Sequence, residues 1–337
     1  MGLGELEILN HVTLTAAADQ FRYGKETEIV DFFCPPGQAR ARTDSGTAFA
    51  YDILKASCQV AKPKAEGAPS KRVALTPAGQ VSGRCISMAE HKMLDGAAIL
   101  NLREPGTRQV NAKSRIAREL KDLDRRRARL RNFAVAQMLT GTLTINEDDI
   151  KASVDYKVTG THIHNAAASW ATAGTDIPAH IDGDVELMEK DSGFTPLHAL
   201  CDREVMRSMM ANTAVKSFLG QADYVAQIGK LGFIQNFHGI IWHVLSGGYR
   251  NTAGAFVPWI AAGHVVYCPD PSPDWVDIIE GSAMINPLGA TDLVEMFGQH
   301  SYTILSSDPA GYKLVNGDTF IPKLTVPDAL IYVDTTP

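Results

Sequence analysis

At 337 residues, 45% of them hydrophobic and 21% charged, the chain can bury a large core and suits two linked domains or one elaborate one. Its net charge is −6, and no apolar run approaches the ~20 residues that a membrane-spanning helix needs, so no membrane partner is expected. The five cysteines, Cys34, Cys58, Cys85, Cys201 and Cys268, are scattered without a CxxC pair; this argues against a disulfide framework or zinc knuckle and fits a reducing cytoplasm.

The opening Met1-Gly2-Leu3-Gly4-Glu5-Leu6 has neither the basic nor the apolar region of a secretory signal. Ala16 to Gln20 suggests a helical turn. Glu28 to Phe33 reads as a short strand, broken by Cys34-Pro35-Pro36-Gly37. Residues up to about Ser45 thus read as an extended arm. Ala48 to Leu54 is strand-like, and Val73 to Leu75 with Val81 to Ile86 reads as a returning strand. Between them lies a stretch rich in Pro, Gly and Lys that carries Lys62, Lys64, Lys71 and Arg72. Such a two-stranded excursion has too little core to stand alone and needs a surface to lie on. A solvated surface loop is the plainer alternative.

Residues 103–139 read as one long basic helix that Gly141 ends in the usual C-terminal position. Between Asn111 and Arg131 stand nine cations, Lys113, Arg115, Arg118, Lys121, Arg125, Arg126, Arg127, Arg129 and Arg131, against three acids, Glu119, Asp122 and Asp124. Ile116, Leu120, Leu123, Leu130 and Ala134 form a narrow apolar stripe, which Arg127 interrupts. The remaining faces are cationic, so the helix could meet phosphates without reading bases, in a salt-sensitive way. An internally neutralised scaffold helix is an equal alternative.

Leu143, Ile145, Val154, Tyr156 and Val158 alternate as strands. Ile177-Pro178 opens a second domain, with Ile181, Val185, Leu187 and Met188 on one helix face. Phe194 to Leu200 is strand-like, and Asp202 caps a helix from Arg203 to about Leu219. Short strands follow at Leu231 to Ile234, Ile240 to Leu245, Phe256 to Ile260 and His264 to Cys268, with a turn at Gly247-Gly248. This is an α+β pattern around a central sheet. The end is β: Tyr302 to Ser306, Tyr312 to Leu314 and Ala329 to Val333. From Asp270 to Pro337 there are ten acids and two lysines. This acidic region could face the basic helix of its own chain or of a neighbour.

His162 and His164 put two imidazoles on one face of a possible strand, with His180, Asp182 and Asp184 as further candidate metal ligands. No HExxH or facial-triad spacing supports a metal site there. No GxSxG, GxxxxGK[ST] or GxGxxG occurs either, so no catalytic residue or cofactor site is expected.

The order of parts resembles the major capsid proteins of lambda-like tailed phages, the capsid protein E family, with the Hong Kong 97-type fold. The resemblance is carried by Leu100-Asn101-Leu102-Arg103-Glu104-Pro105-Gly106, leading through Arg125-Arg126-Arg127 into Ala134-Val135-Ala136-Gln137-Met138-Leu139-Thr140-Gly141-Thr142-Leu143-Thr144-Ile145. Asp155-Tyr156, Trp170 and Asp202-Arg203-Glu204-Val205-Met206 add to it. It implies an N-terminal arm at 1–45 and an extended loop at 46–102 lying across an adjacent subunit. A peripheral domain would comprise 103–175 and 299–337 with a spine helix at 107–139, and an axial domain 176–298.

The implied function is a structural one. Copies would assemble as hexamers and pentamers into an icosahedral shell around double-stranded DNA, in the virion, after assembly in the host cytoplasm. Scaffold and portal proteins, and a decoration protein, are the further partners the resemblance implies. Lys62, Lys64, Lys71, Arg72, Arg115, Arg118, Arg125, Arg126, Arg127, Arg129 and Arg131 are the candidate residues facing DNA or neighbouring subunits. The rival readings are an encapsulin-like compartment shell and a metal-dependent enzyme using His162, His164 and His180.

Overall fold

The computed structural model describes residues 10–44, 46–54, 79–95, 108–147, 150–251, 253–288, 292–307 and 310–337. Lys62, Lys64, Lys71, Arg72, the expected strand at 73–75 and the expected helix start at 103–107 lie outside these residues, as do the side chains of Lys113 and Arg115. In chain order the helices and strands begin α1 His11–Ala18, α2 Glu28–Phe33, β1 Ala41–Arg42, β2 Ala48–Ile53, β3 Gly79–Arg84, β4 Ile86–Asp95 and α3 Arg108–Leu139. They continue β5 Thr142–Glu147, β6 Ile150–Asp155, β7 Ile163–Asn165, α4 Ile177–Ser192, β8 His198–Cys201, α5 Arg203–Ala211 and α6 Thr213–Leu231. The rest is β: β9 Asn236–Phe237, β10 Ile240–Val244, β11 Gly248–Arg250, β12 Phe256–Pro258, β13 His264–Cys268, β14 Val276–Glu280, β15 Ser282–Ile285, β16 Val294–Phe297, β17 His300–Ser307, β18 Ala310–Leu324 and β19 Ile331–Asp334.

The chain forms two compact units that share it in alternation. Unit 1 takes Met1–Phe49, Ser82–Val135 and Asp277–Lys323; unit 2 takes Ala50–Val81, Ala136–Val276 and Leu324–Pro337. No helix among the described residues is long and apolar enough to cross a membrane.

Unit 1 is a five-stranded sheet ordered β1-β14-β18-β17, with β4 also on β18. β18 is 15 residues long and pairs antiparallel with β17, from His300 opposite Gly317 to Ser307 opposite Ala310, and with β4. Gly317 serves this crossing: a Cβ there would come 2.3 Å from the His300 ring, so only glycine lets the ring lie against the strand. Leu14 and Ala18 from α1, Leu120 and Leu123 from α3, Leu94 from β4 and Leu314 from β18 close a small core.

The expected strand at Glu28 to Phe33 is a helix instead. Its first amides need acceptors, as every helix start does. Asn132 of α3 supplies one: its Oδ1 accepts from Ile29 N at 3.1 Å and Val30 N at 3.0 Å, fully buried.

Unit 2 is a six-stranded mixed sheet ordered β7-β19-β13-β8-β10-β9. β8 and β10 run parallel; β13 runs antiparallel to both β8 and β19. Side chains alternate between faces, and Ala199, Cys201, Ile240, Trp242, Val265, Tyr267, Ile331 and Val333 share one face with the buried sides of α4, α5 and α6. Asp176 caps α4 and Asp202 caps α5.

The helix expected from Arg203 to about Leu219 is two. Asn212 takes an extended conformation, ends α5, and caps α6 through Oδ1 to Val215 N at 3.1 Å, while its Nδ2 donates to Thr175 O. The strand expected at Leu231 to Ile234 does not form: α6 runs to Leu231 and closes on left-handed Gly232. Gly247-Gly248 is not a simple turn, since Gly248 opens β11.

Candidate functional site: the charged spine helix

The 32-residue helix α3 spans about 48 Å at ~1.5 Å per residue. Its buried stripe does not stop at the apolar residues. Leu120, Leu123, Asp124, Arg127, Ala128, Arg131, Asn132, Ala134 and Val135 are all buried. The spacing is helical throughout, so Arg127 does not interrupt the stripe but belongs to it.

Burying guanidinium groups is tolerable only with well-placed counter-charges. Asp318 of β18 provides them. It is fully buried and accepts from Arg131 Nη2 at 2.7 Å and from Arg127 Nη1 at 3.2 Å. Arg127 Nε also donates to Asp124 Oδ1 at 2.7 Å, and the Arg131 guanidinium lies 5.2 Å from the Phe320 ring centre. Burial alone would raise the Asp318 pKa, but Arg131 and Arg127 outweigh it and hold the carboxyl below its ordinary range. Asp124 takes two further donors, Tyr23 Oη at 2.8 Å and Gln299 Nε2 at 3.0 Å. Helix, sheet and N-terminal segment thus meet in one polar knot.

The exposed cations of α3 are also largely occupied. Arg125 and Arg129 both donate to Glu26, Arg125 Nε at 2.6 Å and Arg129 Nη2 at 2.9 Å. Although burial works against it, these bonds lower the Glu26 pKa. Arg126 Nη2 reaches Glu90 at 2.9 Å. Lys92 of β4 occupies Glu119 at 2.8 Å and also Asp122, so two of the helix's own acids are taken by another strand. Arg118 is exposed and makes no ion pair among the described residues. Of the candidate residues, Arg127 and Arg131 are therefore spent inside unit 1 and do not present a surface to a neighbour or a polyanion. The expected meeting of the acidic C-terminal region with the basic helix occurs within one chain, through Asp318.

A polar cavity of about 630 Å³ opens beside this knot, with Asp19, Arg40, Arg42, Arg131, Glu280 and Phe297 among its walls. Burial pushes the Glu280 carboxyl up, against the opposing pull of Arg131.

The candidate metal ligands do not converge. His162 is buried, with Nδ1 2.9 Å from Leu330 O and Nε2 3.2 Å from Asp191. His164 lies between Thr161 O and Asp184, at 3.1 Å from each. His180 Nδ1 accepts from Trp170 Nε1 at 3.1 Å. Each imidazole ties one element to another, and among the described residues no group of three or more His, Cys, Asp or Glu could hold a metal ion. His162, His164 and His180 thus bond different partners.

Comparison with known proteins agrees with this architecture. The fold superposes over 97% of the chain on 99% of a putative capsid protein of an Escherichia coli CFT073 prophage, with TM-score 0.64 and 15% identity. A phage-related protein from Bordetella bronchiseptica RB50 matches over 96% of both chains, with TM-score 0.58 and 11% identity. The mature capsid subunit of bacteriophage PhiM1 matches over 87% of this chain and 83% of its own, with TM-score 0.52 and 14% identity. The fold is thus that of the Hong Kong 97-type phage capsid proteins. The family model described as phage major capsid protein E matches residues 40–276, and the chain belongs to that family. No curated protein matches the sequence.

Proposed function

We propose that this chain is the repeating subunit of a tailed-phage head, assembling as hexamers and pentamers into an icosahedral shell around double-stranded DNA. The observation that carries this reading is the family match over residues 40–276 on a fold whose spine is neutralised from within. A helix so satisfied acts as a strut. It leaves the extended loop at 46–102, the arm at 1–45 and the axial domain at 176–298 as the parts that meet other copies. The peripheral domain, 103–175 with 299–337, carries the strut. The subunit performs no catalysis; its work is geometric. Arg115 and Arg118, with Lys62, Lys64, Lys71 and Arg72 of the loop and the surface-paired Arg125, Arg126 and Arg129, remain the cations assigned to neighbouring subunits or non-specific phosphate contact. Scaffold and portal proteins assist assembly in the host cytoplasm.

The test is composition and content of particles purified from cells that produce the phage. The chain should be their dominant protein, in closed shells that protect DNA from nuclease. Shells filled with an enzyme and free of DNA would instead identify an encapsulin-like compartment.

A further inference from the structure

The helical layer of unit 2 carries two rows of opposite charge, whose contacts among the described residues leave most of the charge unpaired: Asp182 meets His238 and Glu189 accepts from Thr195 Oγ1 at 2.8 Å. On α4, Asp182, Glu186 and Glu189 are exposed at spacings of four and three residues, one side of the helix along about 10 Å. On α5, Arg203 and Arg207 are exposed four residues apart. Lys216 extends their line, because its Nζ bonds the carbonyl of Ala211, the next position on the same face, at 3.2 Å. This second row is about 12 Å long. Among the described residues, Arg203, Arg207 and Lys216 form no ion pair, and neither does Glu186 or Glu189. Glu204 is the one opposite charge inside the two rows' spans, and Asp202 and Lys190 flank them.

Apolar surface adjoins the acidic row. Phe218 of α6 is 57% exposed and its ring lies 5.0 Å from that of His238, whose Nε2 is 3.3 Å from Asp182. Val225 is equally exposed further along α6. Only Val215 of this 19-residue helix is buried, and Gly220 breaks it in a left-handed conformation. Divided by Gly220 into two short pieces, so thinly covered a helix gains little stability from propensity alone and needs tertiary cover.

We propose that the acidic row of α4 docks on the cationic row of α5 and Lys216 in a second copy of this chain, with Phe218 and Val225 covered at the same contact. The inference rests on the shell reading and names the contact that builds its rings. The two rows lie on different helices, so each copy offers its acids to one neighbour and its cations to another. That is a heterologous contact, which closes into a ring when the rotation permits. Matched charge rows fix register and reject wrong partners more than they add affinity.

Three variants of the full chain test it. The first carries Asp182→Lys, Glu186→Lys and Glu189→Lys; the second carries Arg203→Glu, Arg207→Glu and Lys216→Glu; the third carries all six changes. The first two should lose closed particles through like-charge repulsion, and the third should regain them. Wild-type assembly by either of the first two, or a folded third variant that stays unassembled, overturns the proposal. Should a variant fail to fold, carbodiimide treatment of wild-type particles made from light and heavy-isotope chains decides the matter. A Glu186–Lys216 or Glu189–Lys216 link between chains supports the contact, and its absence overturns it. Failure of the wild-type chain to form particles counts against the shell reading itself; assembly indifferent to these charges counts against this contact alone.

Discussion

His164 shows what a single side chain can and cannot reveal in the sequence. Its neighbour His162 two positions away suggested a shared ligand, but the partners that matter sit on α4, at Asp184 and Asp191. No local pattern announces such pairings, because they depend on how α4 packs. The bond to Asp184 raises the His164 pKa, against the opposing effect of burial. The folded value therefore lies above the unfolded value of about 6.5. Stability from this pair is fully present below the unfolded value and is lost as pH rises through the folded one. His164→Gln should thus cost more stability at pH 6 than at pH 8.5, read as the difference in urea midpoint. An equal cost at both, or a larger one in alkali, would contradict the assignment. Arg127, read from the sequence as a break in the stripe and a surface cation, is instead buried and paired with Asp124 and Asp318. It stands four residues after Leu123 on the same stripe, and a helix buries by face rather than by polarity.

Elements were most legible where periodicity was long. The spine helix from Arg108, β2, β8, β10, β13, β17, β18 and β19 overlap segments that the pattern marked, whereas the single returning strand expected over Val81 to Ile86 is divided between β3 and β4. The short apolar run Glu28 to Phe33 was not legible, since runs of that length fit strand or helix equally, and distant Asn132 settles it by accepting two of its amides. Asn212-Thr213 held the signal that splits α5 from α6, an N-cap within an apolar pattern. The link between α3 and β18 is the element-scale feature with the largest consequence. Asp318→Asn leaves Arg127 and Arg131 buried without their shared carboxylate, and breaking such a pair typically costs about 3–5 kcal/mol. Urea unfolding of the unassembled chain should show that loss, whereas Arg118→Ala should stay within about 0.5 kcal/mol of wild type. Comparable stability of Asp318→Asn and wild type would mean that the knot is not what fastens helix to sheet.

For the whole molecule, the blocks from Leu100 through the spine helix to Asp202-Arg203-Glu204-Val205-Met206 already resembled the capsid family to which the match over residues 40–276 assigns the chain. Less legible was the alternation of the chain between two units. α3 passes from unit 1 to unit 2 after Val135, and β19 joins the sheet of unit 2 while β17 and most of β18 belong to unit 1. The pairings of β4 with β18 and of β1 with β14 join strands more than about 200 residues apart, which local propensity does not encode. They also bear on why internal neutralisation of the spine matters: a subunit whose strongest charges are already paired can offer its remaining ones to other copies.

The central claim, that this chain builds closed shells from itself, is tested most directly by sedimentation velocity of the purified full-length chain, alone and co-expressed with its scaffold, followed by electron microscopy of the fastest fraction. The account requires a sharp, fast boundary of uniform closed particles, many times the 36.5 kDa subunit mass. A chain that stays a 36.5 kDa monomer under both conditions would contradict it.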